Sequence, residues 1–447
     1  MNRIIAVSDI ILISIVGSLT VQAKVWTLKD CIEYAIQNNI TIRKTSLQHQ
    51  SAIEDVHQSQ ANLLPSLSAT TSQFVTYNPW PESGSYTVAG DKVQMNVKKV
   101  YYNGTYGVNT SWTVWNGNRN RDQVKANQFL AEKASLDSAT TAATIQQQIA
   151  QLYIQIIYSK EAIEVNRQTL ETSKKNEQRG QEFVNVGKMS KADLAQLTSQ
   201  RAQDEYNLVL VEGNYKDFVR QLKKLLQITD QEPFDVVIPE TSDEMALQDI
   251  PSVTDVYESA LNHRPEIKNY MLGIESSNLQ IKMAKAMKLP TVTASAGLST
   301  NTTSISSNAY GKQLKNNFGL GGGFNVNIPL VDNRQKKTAV NKAILTKQDY
   351  ELGLRDQQTT LYSTIENFWL QAINNQAQYR SARVSTQSAQ TSYNLLNEQF
   401  EQNLKNIIEL MNGKDALMRA QQAELQAKYL TILNIDLLKF YQIGTLK

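Results

Sequence analysis

With one cysteine, Cys31, the 447-residue chain can form no internal disulfide. Its three histidines, His49, His57 and His263, are too scattered for a metal site or a Ser-His-Asp triad. Gly319 to Gly323 lacks the Gly-Lys-[Ser/Thr] ending of a phosphate loop. No catalytic residue, cofactor or metal is expected, and the chain is not read as an enzyme. Proline (9) and glycine (19) are sparse, and no Pro-, Ser- or Gly-rich run divides the chain into independent domains. An excess of one charge is also missing. The 45 Lys and Arg residues are interspersed with 42 Asp and Glu, which excludes nucleic acid as a partner.

Nor is there an apolar run of the ~20 residues that a spanning helix needs. The one short run, Ile10 to Val16, follows Arg3 and precedes Val21-Gln22-Ala23, the pattern of a secretory signal peptide cleaved after Ala23. Cys31 lies too far past that point to be the lipid-bearing first residue of a lipoprotein and reads as a small buried side chain. An exported chain without a spanning helix enters a membrane only with strands.

What is present is a duplication. A single shift of 225 positions carries Leu64-Pro65 onto Leu289-Pro290 without a gap, and with it Asp30 onto Asp255, Glu33 onto Glu258, Ile42 onto Ile267 and Ser51 onto Ser276. Thr27-Leu28-Lys29-Asp30 and Ser252-Val253-Thr254-Asp255 both read as helix starts, a hydroxyl at the N-cap with a carboxylate three residues on. Each copy is expected to be one helix that ends at Leu-Pro, with Pro65 and Pro290 opening a strand.

Between about Arg119 and Arg179 there is neither Pro nor Gly, and Ile145, Ile149, Leu152, Ile156 and Ile163 step by three, four or seven. A helix of that extent is roughly 90 Å long, more than a globular domain requires. A second helix is expected from Ser190 to Leu226, and a matching pair from about Lys336 to Gln399 and from Ile407 to Phe440. Gly187 and Asn403 sit in the short breaks, where a helix is left through the left-handed region. Each half thus reads as an antiparallel helical hairpin.

Four segments switch to period two. Tyr106, Val108, Thr110, Trp112 and Val114 alternate with Gly107, Asn109, Ser111, Thr113 and Trp115. Val292 to Leu298 alternates with Thr and Ser, and Phe318, Leu320, Phe324, Val326 and Ile328 alternate with Gly and Asn; Ser66 to Tyr77 is less regular. Strands of ~10 residues with one apolar face and one of Gly, Ser, Thr and Asn carry the signature of a transmembrane barrel, with Tyr106, Val108, Trp112, Phe324 and Val326 toward lipid. Four strands cannot close a barrel, so several chains must pool theirs. Two chains would supply eight and three would supply twelve. The polar connections 78–104 and 300–317 would then lie at the end away from the helices.

These features together resemble the TolC-like outer membrane factors, the exit ducts of multidrug efflux pumps and type I secretion systems. The likeness rests on the duplicated helix ending in Leu-Pro, the strand exits Trp115-Asn116-Gly117-Asn118-Arg119 and Ile328-Pro329-Leu330-Val331-Asp332-Asn333-Arg334, and the helix tips 187–194 and 403–410. It implies a mainly α fold with membrane β. The long hairpins would form an α-barrel tunnel in the periplasm, and four strands per chain would join a shared transmembrane β-barrel in a homotrimer of the cell outer membrane. It also implies a periplasmic adaptor and an inner membrane pump as partners. The organisation expected is a signal peptide (1–23), a first-repeat helix (24–63), a first β-hairpin (64–117), a first helical hairpin (118–228), an equatorial segment (229–251), a second-repeat helix (252–288), a second β-hairpin (289–333), a second helical hairpin (334–440) and a tail (441–447).

By the same resemblance the constriction would lie at the tip of the second hairpin. Glu409 falls on the first acidic ring position, and Asn412 replaces the acid of the second, so cation block should be weaker than with two rings. Lys405, Asp193 and Phe400 fall on the latch between hairpins, Phe400 standing where the family carries a tyrosine. A coiled-coil structural protein without a channel accounts for the long helices but leaves the strands unexplained.

Overall fold

The structure, a computed structural model, describes residues 24–80, 86–89, 92–95, 98–229, 233–239, 243–402 and 404–444. The expected signal peptide and the turn residue Asn403 lie outside these residues, as do parts of the loop, equatorial and tail segments. In chain order the first half contains β1 (Lys24–Trp26), α1 (Leu28–Asn38), α2 (Ile40–Ala61), β2 (Ser66–Tyr77), β3 (Tyr86–Ala89), β4 (Lys92–Met95), β5 (Val100–Trp115), α3 (Arg119–Asn185) and α4 (Lys191–Leu226). There follow β6 (Phe234–Val236), α5 (Asp243–Leu247), α6 (Val253–His263), α7 (Pro265–Ala286), β7 (Thr291–Thr303), α8 (Tyr310–Asn316), β8 (Gly319–Asn327), α9 (Gln335–Glu401) and α10 (Ile407–Ile443).

The duplicated starts cap as their residues dictate. Thr27 Oγ1 accepts from Asp30 N at 3.1 Å while the Asp30 carboxylate accepts from Thr27 N, and in the other half Ser252 Oγ accepts from Asp255 N at 3.2 Å. Each expected single helix is, however, two. Asn39 and Arg264, related by the same shift, are both extended (φ −65°, ψ 125° and φ −68°, ψ 126°) and separate α1 from α2 and α6 from α7. Arg264 is held out of the helical region by the ring of Pro265. Asn39 replaces the missing helical bonds with its side chain, which accepts from Thr41 N and Ile42 N and donates to Leu225 O.

The two longest helices, α3 and α9, each have 67 residues, about 100 Å at the usual rise. α3 pairs with α4 and α9 with α10 as hairpins. Strand passes to helix through two successive left-handed residues in each half, Gly117 and Asn118 (φ 69° and 65°) and Asn333 and Arg334 (φ 48° and 69°). At Gly117 a Cβ would also stand 2.9 Å from Leu289 Cδ1, so the turn packs against the other half of the chain.

The main core lies where α1, α3, α4, α6, α9, α10 and the first turns of α2 and α7 meet β1 and β6. Cys31, Ile149, Ile156, Val256, Ile267, Ile365 and Ile435 are fully buried there. Period three to four did bring Ile145, Ile149 and Ile156 to the interior. β1 runs parallel to β6 and ties the two ends of the first half together, a pairing between segments too short and distant to show in sequence.

β2, β5, β7 and β8 form one antiparallel sheet in the order β2-β5-β7-β8. Ala69, Val108, Leu298 and Leu320 lie opposite one another across it, as do Trp112, Ala294 and Phe324, so they share one face. The other face carries Ser68, Asn109, Gly297 and Gly321. One assignment is corrected. A bulge between Thr113 and Trp115 sets Trp115 opposite Val292, on the apolar face, where strict alternation had put it among the polar residues. The polar connections are also more structured than expected: β3 pairs with β4 in the first and α8 packs on β7 in the second. Among the described residues no helix is long and apolar enough to cross a membrane.

Candidate functional site

Two regions carry the functional geometry, the sheet and the tip of the hairpins. On the sheet, Tyr106, Val108, Trp112, Phe324 and Val326 all lie on the apolar face. Phe324, Val326 and Leu320 are more than half exposed in the single chain, an uncovered apolar surface. Pro65 and Pro290 immediately precede β2 and β7. At the helix-side end of the sheet Trp112 Nε1 donates to Leu63 O at 2.8 Å and fixes the ring against the first turn.

At the tip, α3 ends at Gly187, which adopts φ 75° with open space around it. Ser190 caps α4: its Oγ accepts from Asp193 N at 3.0 Å and donates to the Asp193 carboxylate at 2.8 Å. Asn406 Oδ1 caps α10 by accepting from Glu409 N at 2.9 Å. Glu409 and Asn412 are one turn apart and lie on the outer face of α10, opposite buried Ile407, Leu410 and Lys414.

The expected latch residues are not joined as a set. Lys405 Nζ reaches Glu409 Oε1 at 3.1 Å, one turn along its own strand of chain, while Asp193 is engaged with Ser190. Phe400 is buried, packing beside Phe183 (ring centroids 6.4 Å apart) and in a cluster with Leu197, Ile407 and Leu410. It therefore binds the first hairpin to the second by apolar contact, which a phenylalanine does without a hydroxyl. Next to it Arg179 of α3 meets Glu401 of α9 at 2.7 Å, and that hydrogen bond holds the Glu401 carboxyl below its ordinary range.

Just behind the tip is a buried polar node that sequence reasoning missed. Lys414 Nζ donates to Ser173 Oγ at 2.6 Å and to the Asp204 carboxylate, and Ser173 Oγ donates to the same carboxylate. All three residues are at most 5% exposed. Gln200 Nε2 extends the node, donating at 3.1 Å to both Asp204 and Asp415. Burial raises the Asp415 carboxyl above its usual value, with Asp204 adding to the rise and Lys414 opposing it. The node joins α3, α4 and α10. A signal existed: Lys414 interrupts the seam Ile407, Leu410, Leu417, and Asp204 stands seven residues after buried Leu197.

Among the described residues no cluster of His, Cys, Asp and Glu is arranged to hold a metal. The geometry combines a two-faced sheet with hairpins whose longer arms, α3 and α9, extend about 100 Å. A family-wide profile of outer membrane efflux proteins matches residues 31–226 and 256–435. The chain belongs to the outer membrane efflux protein family. Toxin and drug export protein A of Aggregatibacter actinomycetemcomitans is 21% identical over 415 residues, covering 90% of this chain and 83% of that protein. Among solved structures, CusC superposes with a TM-score of 0.78 at 15% identity, over 93% of this chain and 91% of the other. The Campylobacter jejuni CmeC outer membrane channel gives 0.77 at 17% identity, over 99% and 94%. As an outer membrane efflux protein the chain serves export as a channel component, in a family of channels and not of enzymes. The two matched ranges leave out residues 227–255, which include β6 and α5.

Proposed function

We propose that three copies of the chain assemble into the exit duct of a tripartite efflux pump or type I secretion system. The observation that carries this reading is the sheet. It has an apolar face, a face of Ser, Asn and Gly, and two unpaired edges, β2 and β8. A bilayer tolerates no open edge, so the sheets of neighbouring copies join, and the small polar residues then line a water-filled bore. Residues 64–117 and 289–333 supply the barrel in the outer membrane. Residues 118–228 and 334–440 supply a periplasmic tunnel. An adaptor contacts the turns at Gly187 and Asn403, and an inner membrane pump provides the energy, since the duct itself is passive.

In this reading Glu409 from each copy faces the axis at the tip, with Asn412 one turn deeper, and opening moves the α10 ends apart. Lys405 restrains Glu409 within each copy, and Asp193 is available to a neighbouring hairpin once Ser190 releases it. Single-channel recording in planar bilayers tests the proposal. The purified protein should form channels of small conductance that are blocked by divalent cations. Glu409→Ala should weaken that block several-fold, and Lys405→Ala should increase conductance. A chain that never conducts, or block that is indifferent to Glu409, would overturn it.

A further inference from the structure

Helix α8 is fastened to the sheet at a level where the apolar face gives way to loops. Tyr310 Oη donates to Tyr106 Oη at 2.8 Å, with the rings edge to face at 6.5 Å. Thr300 Oγ1 donates to Leu314 O at 2.7 Å, and the buried Gln313 accepts from Thr303 N at 2.8 Å. Asn317 Nδ2 donates to Asn301 O at 2.7 Å, and Lys98 of the first loop donates to Ser304 O at 2.5 Å. Tyr106 and Thr300 are register partners, two places along from Val108, Leu298 and Leu320. The helix therefore lies across the apolar face at its loop end and not over the polar one.

The helical period assigns the sides of α8. Tyr310, Gln313 and Leu314 turn toward the sheet, and Lys312 and Lys315, both exposed, turn away from it. Lys98 and Lys99 are exposed in the neighbouring loop. Acids are sparse near them in sequence: residues 92–121 and 289–331 contain neither Asp nor Glu, and Asp91 is the nearest acid to Lys98. None of the four lysines takes part in an ion pair among the described residues. Immediately toward the helices come exposed Phe318, Leu320 and Phe324. The order along the sheet is thus aliphatic and aromatic, then tyrosine, then lysine, which matches acyl chains, the interface and anionic headgroups in turn.

We propose that α8 is an interfacial helix whose Lys312 and Lys315, with Lys98 and Lys99 beside them, bind the phosphates of the anionic lipid in the outer leaflet. The occupant is a lipid because the cationic row continues directly into an uncovered apolar surface, and an anionic one because that row of lysines meets the headgroup level, where the charged groups of lipids are phosphates. This rests on the reading of that sheet face as lipid-facing. The fixed attachment of α8 means the lysines are held ready, so binding should not require the loop to fold first.

The test uses purified full-length protein in neutral detergent and reads its thermal unfolding while bisphosphorylated lipid A is titrated in. Dephosphorylated lipid A and inorganic phosphate serve as comparison probes. Bisphosphorylated lipid A should raise the midpoint by several degrees, the dephosphorylated form much less and free phosphate not at all. Lys312→Gln with Lys315→Gln should weaken the apparent affinity about tenfold, and arginine at both positions should retain it. Equal response to the dephosphorylated lipid, equal response to free phosphate, or an unchanged affinity in the glutamine variant would each overturn the proposal. Conductance in neutral phosphatidylcholine bilayers is measured on the same samples. A wild-type chain that fails to conduct sinks the duct reading, whereas lost phosphate preference in conducting channels sinks only this one.

Discussion

Lys414 is a cation in an apolar seam, and its charge is tolerated only because Asp204 and Ser173 surround it. Removing one partner of such a buried pair leaves the other charge desolvated, at a cost of about 3–5 kcal/mol, while replacing both by apolar groups is often near neutral. Lys414→Met should therefore lower the thermal midpoint of the detergent-solubilised protein markedly, and Lys414→Met with Asp204→Leu should recover most of the loss. Equal midpoints for the single variant and wild type would show the node to be dispensable. Asp436 in α10 presents the opposite case. Burial pushes its carboxyl up to about 6, and nearby Lys439 only partly opposes this. At low pH the group is protonated in folded and unfolded chains alike and burial costs nothing. Above about 6 it is charged in both and the whole cost is present, so stability falls as pH rises from about 4 to 6. Asp436→Asn should then raise the midpoint at pH 7.5 by more than at pH 4, which melts at the two pH values would check. Of the node the sequence shows only that Lys414 interrupts its seam, and not which residues meet it. The partners of Lys414 lie 210 and more positions away, and at the tip the family resemblance pointed to Asp193, Lys405, Phe400 and Glu409 instead.

At the scale of elements, α7 and α9 approach through a reciprocal exchange. Tyr350 of α9 lies on Gly273 of α7, and Tyr270 of α7 lies on Gly353 of α9; a Cβ at either glycine would come within 2.5 Å of the ring. A ring cannot bend away as an aliphatic end can, so an added methyl pushes the helices apart, which costs about 1–3 kcal/mol. Gly273→Ala should lower stability by about that amount. Hydrogen exchange should show faster opening confined to α7 and the facing turns of α9, and an unchanged exchange pattern would contradict this packing account. The long helices themselves were legible, from a Pro- and Gly-free stretch with a sustained seam in α3 and a matching long helical pattern in α9, where Gly353 is the single glycine: the expected 119–179 became 119–185, and 336–399 became 335–401. The breaks at Asn39 and Arg264 were less so. Arg264-Pro265 carried a signal, whereas Asn39 breaks its helix by bonding to Leu225, on an element more than 180 positions away. Likewise the bulge before Trp115 depends on pairing with β7 and cannot be read from β5 alone.

How whole molecules assemble depends on what β2 and β8, the edges of the four-stranded sheet, meet. Within one chain β5 and β7 lie between them, three strand spacings of about 4.8 Å, or roughly 14 Å in all. In a closed cylinder of several chains β8 of one copy would instead sit one spacing from β2 of the next. A thiol cross-linker shorter than about 8 Å discriminates the two arrangements, since it cannot span the intrachain distance. The background is clean because the only native cysteine, Cys31, is fully buried. A chain carrying Thr70→Cys in β2 and Gly323→Cys in β8, treated in the outer membrane, should yield linked dimers and trimers, with the closed trimer as the largest species. Ladders that run past three would mean a larger ring. If only monomer is recovered, while each cysteine alone still reacts with a monofunctional label, the edges do not meet, and the sheet must be covered by something other than a second copy of itself.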